Sequence, residues 1–273
     1  MRWRSLTCLA ALCACSCTRL GFGLPQGGAE DATGAVEVGV SDARRDSVGD
    51  LLGLDVPDLG VSDSTVDSAA SCPAPMVRIS DFCIDTDSDG VLRSWPRAAE
   101  ACMTAGKRLC TAQEMLSACS DTRLSGTVGQ WEWTANVSSG SPLAVGEGSC
   151  GDKINSTLGS LFETRCCLSA GAPKGVAVGT FFIDQGETDS SSVTWLEAAS
   201  HCMAAGKRLC SSQEWVTACG NAAGFGIVQM TGQWEWVREL TTDGVARKHG
   251  FTDCASVSEH EITGGAYDTR CCY

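Results

Sequence analysis

Cys102-Met-Thr-Ala-Gly-Lys-Arg-Leu-Cys110 returns 100 residues later as Cys202-Met-Ala-Ala-Gly-Lys-Arg-Leu-Cys210. The likeness extends outward on both sides. Gln113-Glu114 and Ala118-Cys119 return as Gln213-Glu214 and Ala218-Cys219. Gly129-Gln-Trp-Glu-Trp133 returns as Gly232-Gln-Trp-Glu-Trp236, and Thr164-Arg-Cys-Cys167 as Thr269-Arg-Cys-Cys272. Such self-similarity marks one structural unit used twice. It divides the C-terminal part of the chain into modules at residues 72–168 and 173–273, each near the common size of a small domain.

Local signals place elements within each unit. The run from Met76 to Asp85 reads as strand, as does the run from Val176 to Asp184. A helix follows, opened by Ser94-Trp-Pro-Arg97 or by Thr194-Trp-Leu-Glu197, the latter a full capping box. Trp95, Ala98, Ala99, Cys102 and Met103 share one helical face, as do Trp195, Ala198, Ala199, Cys202 and Met203. Gly106 and Gly206 stand where a left-handed C-terminal cap is expected. Thr111-x-x-Glu114 and Ser211-x-x-Glu214 open a second short helix. Strands and Gly-rich loops then lead to Arg-Cys-Cys. The order of strand, two helices and irregular strands implies an α+β fold.

The N-terminal quarter reads differently. Arg2 and Arg4 precede a short apolar run that is too brief to span a bilayer as a helix. It ends at Leu12-Cys13-Ala14-Cys15, the pattern of a bacterial lipobox. Residues 1–14 therefore read as a lipoprotein signal peptide, with lipidation expected at Cys15. Residues 15–71 follow as an acidic tether. From Gly21 to Ser71 there are ten acidic residues against Arg44 and Arg45, and no Trp, Tyr or Cys. Such a segment reads as a self-repelling linker, with a root-mean-square span of roughly 40 Å.

The formal net charge of −13 offers no basic stripe to meet phosphates, so nucleic acid is not an expected partner. The expected setting is a bacterial cell envelope, with the chain held to a membrane by its lipid, at the outer membrane or the periplasmic face. Four of the 18 Cys lie at or before Cys17, and the other 14 divide eight and six between the repeats. Even counts in an oxidising compartment read as a disulfide framework.

Phe-Cys-Ile-Asp, Ala-Gly-Lys-Arg-Leu-Cys, Gln-Glu, Ala-Cys, Trp-Glu-Trp and a final Arg-Cys, in that order, resemble the formylglycine-generating enzyme (sulfatase-modifying factor) superfamily. The resemblance covers most of both repeats in shortened form and implies C-type-lectin-like modules. The family's oxidase chemistry uses two nearby reactive cysteines that bind copper. The corresponding windows here, residues 134–164 and 237–269, hold one cysteine each, Cys150 and Cys254. Soft Cu(I) wants more than one soft ligand. The catalytic pair is absent, so the activity is not expected to carry over.

The resemblance also implies disulfides. Carried over, it gives Cys102–Cys166, Cys119–Cys150, Cys202–Cys271 and Cys219–Cys254. Cys110 and Cys210 are left for Cys167 and Cys272. Adjacent residues on a strand point to opposite faces, so each closing Cys-Cys pair should reach two different partners. Which of Cys166 and Cys167 reaches which partner stays open. Cys72 and Cys83 lack counterparts in the second repeat and are expected to pair with each other.

Asp85-x-Asp87-x-Asp89-Gly90 imitates the start of a calcium loop, but position 12 would be Pro96 where Glu is needed. Calcium and a plain polar turn are both open readings there, and no other cofactor is expected. Asp184, Glu187 and Asp189 form a looser counterpart. Trp131 with Trp133, and Trp234 with Trp236, would share one face of a strand, as core or as an exposed platform.

The first expectation is a non-catalytic envelope protein whose ligand is a glycan, a peptide or another envelope protein. The alternative is an oxidase acting on an exported substrate. The windows between Trp-Glu-Trp and Arg-Cys-Cys differ most between repeats, so partners would be distinguished there.

Overall fold

A computed structural model describes residues 71–188 and 192–273. The leader, Cys15, most of the tether and Asp189 lie outside the described residues. The first repeat runs β1 (Met76–Ile79), β2 (Phe82–Asp85), α1 (Trp95–Thr104), β3 (Arg108–Leu109), α2 (Ala112–Ala118), β4 (Glu132–Ser138), β5 (Ser141–Val145), β6 (Lys153–Asn155), β7 (Glu163–Thr164) and β8 (Cys166–Ser169). The second runs β9 (Val176–Val178), β10 (Phe181–Ile183), α3 (Trp195–Ala204), β11 (Arg208–Leu209), α4 (Ser212–Cys219), α5 (Ala222–Phe225), β12 (Glu235–Thr242), β13 (Val245–His249), β14 (Val257–Glu261), β15 (Asp268–Thr269) and β16 (Cys271–Cys272). The fold is α+β. Among the described residues, sixteen strands form four small sheets, ordered β1-β2-β8-β3, β6-β5-β4-β7, β9-β10-β16-β11 and β14-β13-β12-β15. Each repeat thus builds the same two strand orders, and α5 is the one added element.

The local chemistry accounts for the helix ends. At the end of α1, Gly106 adopts φ +72°. Its N–H donates to Met103 O, and that of Lys107 donates to Cys102 O. These are the two bonds of a Schellman motif. Gly206 and Lys207 repeat both bonds at the end of α3. Thr111, Thr194 and Ser211 each complete a reciprocal capping box with Glu three residues on. Ser94 departs from expectation. It occupies the N-cap position with extended backbone, but its hydroxyl makes no capping bond. Pro96 has no N–H to donate, and Arg97 replaces the Glu that would close the box.

Each repeat has its own small core under α2 or α4. A third and larger core is built by both repeats together. Trp95, Ala98, Ala99 and Met103 of α1 meet Trp195, Ala198, Ala199 and Met203 of α3, with Trp133 and Trp236 beneath. The Trp95 and Trp195 rings meet edge to face at 6.4 Å between centroids. Polar bonds follow the same seam. Arg238 Nη1 donates to Met103 O (2.9 Å), and the Leu240 N–H donates to Glu100 Oε1 (2.9 Å). Ser169 Oγ donates to Gly206 O (2.9 Å).

Seven disulfides tie the described residues: Cys72–Cys83, Cys102–Cys166, Cys110–Cys167, Cys119–Cys150, Cys202–Cys271, Cys210–Cys272 and Cys219–Cys254. Strand pleat separates the neighbours. Opposite Leu109, Cys166 turns to the helix, while Cys167, opposite Arg108, turns to Cys110. Such a framework belongs to a protein matured in an oxidising compartment, outside the cytoplasm. Among the described residues, no helix is long and apolar enough to cross a membrane.

Candidate functional site

The repeated polar residues come first, because any shared active site would be built from them. Arg165 is fully buried beside Glu132 of β4. Its Nε and Nη2 donate to the two Glu132 carboxylate oxygens (3.1 and 2.9 Å). Its remaining N–H groups donate to the carbonyls of Asp85 (3.0 Å), Thr86 (2.8 Å) and Ser125 (2.7 Å). Arg270 repeats the arrangement with Glu235 and the carbonyls of Asp184, Gln185 and Val228. Each guanidinium thereby uses all five of its donors inside the protein. Burial, partly offset by Arg165, raises the pKa of Glu132.

Arg108 forms a two-pronged pair with Glu114 (2.7 and 2.5 Å), and Arg208 does the same with Glu214. Burial opposes the charge on these two carboxylates. The adjacent guanidinium and the capping N–H outweigh it, so both pKa values lie below the ordinary range. Lys107 pairs with Asp85 (2.5 Å), and Lys207 pairs with Asp184. Every charged residue of the repeated Gly-Lys-Arg-Leu motif is thus bonded to a strand, a helix cap or a loop of its own repeat.

The three candidate calcium ligands border one cleft, but each carboxylate is bonded to a different partner. Asp85 faces Lys107, Asp87 accepts hydrogen bonds from Ser125 and Thr86, and Asp89 faces Arg93. The hydrogen bonds from Ser125 and Thr86 lower the Asp87 pKa. Among the described residues, no group of three His, Cys, Asp or Glu converges as a metal site would require.

The tryptophans also separate. Trp133 and Trp236 are fully buried, and their indole N–H groups donate to Arg93 O (2.7 Å) and Val193 O (2.8 Å). Trp131 and Trp234 precede their strands and are half-buried. Trp131 packs near Phe162, whereas Trp234 stacks on the exposed Phe251 at 5.4 Å between centroids.

The differences between repeats gather on β13, β14 and the loops around them. The register is shared, since Glu132 and Trp133 face Val145 and Ala144 while Glu235 and Trp236 face His249 and Lys248. Where the first repeat has Leu143-Ala-Val145, the second has Arg247-Lys-His249. Lys248 is buried, with Nζ 3.5 Å from the Tyr267 ring centroid and 4.9 Å from that of Trp234. Among the described residues no carboxylate is paired with it. Nearby, Glu187 accepts a hydrogen bond from Gln233, and burial together with Asp268 and Glu235 raises its pKa. Sequence reasoning missed the buried Arg–Glu pairs and this changed strand. The first had a signal: Glu in Trp-Glu-Trp and Arg in Thr-Arg-Cys-Cys are repeated together with opposite charge. The second had one too, in three consecutive polar residues on a strand that is apolar in the other copy.

No known family model matches the sequence, and comparison with curated proteins returned no match.

Proposed function

We propose that the chain is a non-catalytic binding protein of a bacterial cell envelope, held by a lipid at Cys15 and an acidic tether. Residues 72–168 and 173–273 would be two shortened modules of the sulfatase-modifying-factor type, with a C-type-lectin-like fold. The ligand would be a glycan, a peptide or another envelope protein, recognised by the strands and loops that differ between repeats. One observation carries this reading. All 14 cysteines from Cys72 to Cys272 are spent in disulfides, so the thiols that the family's oxidase chemistry needs are absent from both copies. The internal pairing of the repeated charges supports it further. Capture from native envelope extract on the immobilised full chain, in parallel with copper binding and oxygen consumption on a cysteine peptide, tests it. A specific envelope ligand without oxygen consumption is expected. Turnover of the peptide would instead establish the oxidase.

A further inference from the structure

We propose that the cleft between β13, β14 and the start of α4 is a binding site for a neutral saccharide, read through its hydroxyl groups. This rests on the binding-protein reading and names the ligand class for the second repeat. The cleft measures about 490 Å³, and its walls include Ser212, Arg247, His249, Val257, Ser258 and Glu259.

His249 carries the inference. It is 6% exposed, stacks on Trp215 at 5.4 Å, and completes no well-formed hydrogen bond at Nδ1 or Nε2, the Ser256 backbone being close enough only to interact with it weakly. Arg247 Nε is likewise without an acceptor. Leaving a buried polar group unpaired costs about 1–3 kcal/mol. The first repeat shows that the fold does not need this cost, because Val145 and Leu143 occupy the same register with apolar side chains. A polar pair that a scaffold can do without, placed in a cleft, is a group waiting for a ligand.

The chemistry of the walls selects the class. Burial, with the Arg247 cation, lowers the His249 pKa against the opposing Glu239 charge and Ser256 backbone, so the imidazole is neutral at pH 7 with one donor and one acceptor. A hydroxyl is the group that both donates and accepts. Arg247 and Glu259 face each other across the strand pair at 3.9 Å, with both side chains partly exposed. One cation and one anion leave the cleft without net charge, which disfavours an anionic or cationic ligand. Together they offer a fork of donors beside a pair of acceptors, suited to neighbouring hydroxyls. Glu239 does not compete, since it already accepts from the Ser212 N–H and Oγ. Val257, 53% exposed, supplies an apolar edge for the face of a sugar ring.

The test uses the full oxidised chain, ¹⁵N-labelled. D-glucose, D-galactose and N-acetyl-D-glucosamine are titrated while the imidazole nitrogens of His249 are followed, with sodium acetate and phosphate as anionic controls. The expected result is a saturable shift of the His249 signals with at least one sugar and none with the anions. Arg247→Leu combined with His249→Val installs the residues of the first repeat, so it should fold, and it should weaken sugar binding at least tenfold. Val257→Trp, at an exposed position, should block the cleft to the same extent should the double variant misfold. No response to any sugar, response to the anions alone, or undiminished sugar binding in either variant would overturn the proposal. Capture of an envelope ligand that survives both variants would retain the binding-protein reading while removing this cleft from it.

Discussion

Arg165 and Arg270 hold together parts of each repeat that are far apart in sequence. Each joins the closing Arg-Cys-Cys strand to Trp-Glu-Trp, to the end of the second strand and to the loop after the second short helix. Removing one partner of a buried ion pair strands the other, at about 3–5 kcal/mol. Arg165→Met should therefore lower unfolding free energy by about that amount in urea titration. Adding Glu132→Met should restore only part, because the carbonyls of Asp85, Thr86 and Ser125 still lose their donor. Full recovery in the double variant would show that the pair is dispensable. The Glu114 and Glu214 carboxylates give a pH signature of definite sign. Their folded pKa values lie below the ordinary range, so their stabilisation is fully present above about pH 4.3 and is lost as pH falls through the folded values. Glu132, with a raised pKa, acts in the opposite direction. Combining Glu114→Gln with Glu214→Gln should flatten the acid limb of the urea midpoint against pH and leave the contrary contribution of Glu132 visible. Residues of this kind were only half legible in the sequence. Repetition showed that Glu132 and Arg165 matter, but a tertiary contact decides that they matter to each other.

At the scale of elements, the two repeats provide their own control. The first helix of each begins at an equivalent serine or threonine, yet only Thr194 caps. Thr194→Ala should cost about 1 kcal/mol, whereas Ser94→Ala should be nearly neutral. Thermal melts of the two variants make the comparison directly. The glycines at the ends of these helices were legible because a left-handed C′ position has few solutions. The helix faces were legible from their 3.6-residue period. The failure at Ser94 was missed, although Pro96 and the Arg97 that stands where Glu is required carried a signal for it. The β strands were less so. In Trp-Glu-Trp, alternation suggests a polar face, but Glu132 and Glu235 are as buried as Trp133 and Trp236 and more buried than Trp131 and Trp234. A strand covered on both sides does not alternate in burial, and charge in a sequence does not reveal that a partner will follow it inside. The three aspartates at and just beyond the end of β2 make a third case. Spacing suggested convergence on a cation, but each one turns to its own cation or hydroxyl donor. Millimolar calcium should leave the melting temperature unchanged, and a rise of several degrees would reinstate a calcium site there.

Across the whole molecule, the repeats are joined by the Trp95–Trp195 core rather than by a linker alone. Nothing in the sequence distinguished the face of α1 that meets its own sheet from the face that meets α3, since both are simply apolar. The expected consequence is coupling. Trp195→Ala should cost about 3–5 kcal/mol and destabilise both repeats in one transition, which hydrogen exchange resolved by segment would report. The disulfide framework is the other property of the whole, and it bears on function most directly. If the repeats are scaffolds for binding, no thiol is left for oxygen or copper chemistry. Alkylation of the folded, exported protein under non-reducing conditions, followed by peptide mass mapping, tests this in one measurement. The account predicts no alkylated cysteine between Cys72 and Cys272, with Cys119 joined to Cys150 and Cys219 joined to Cys254. Stoichiometric alkylation of Cys150 or Cys254 would contradict it.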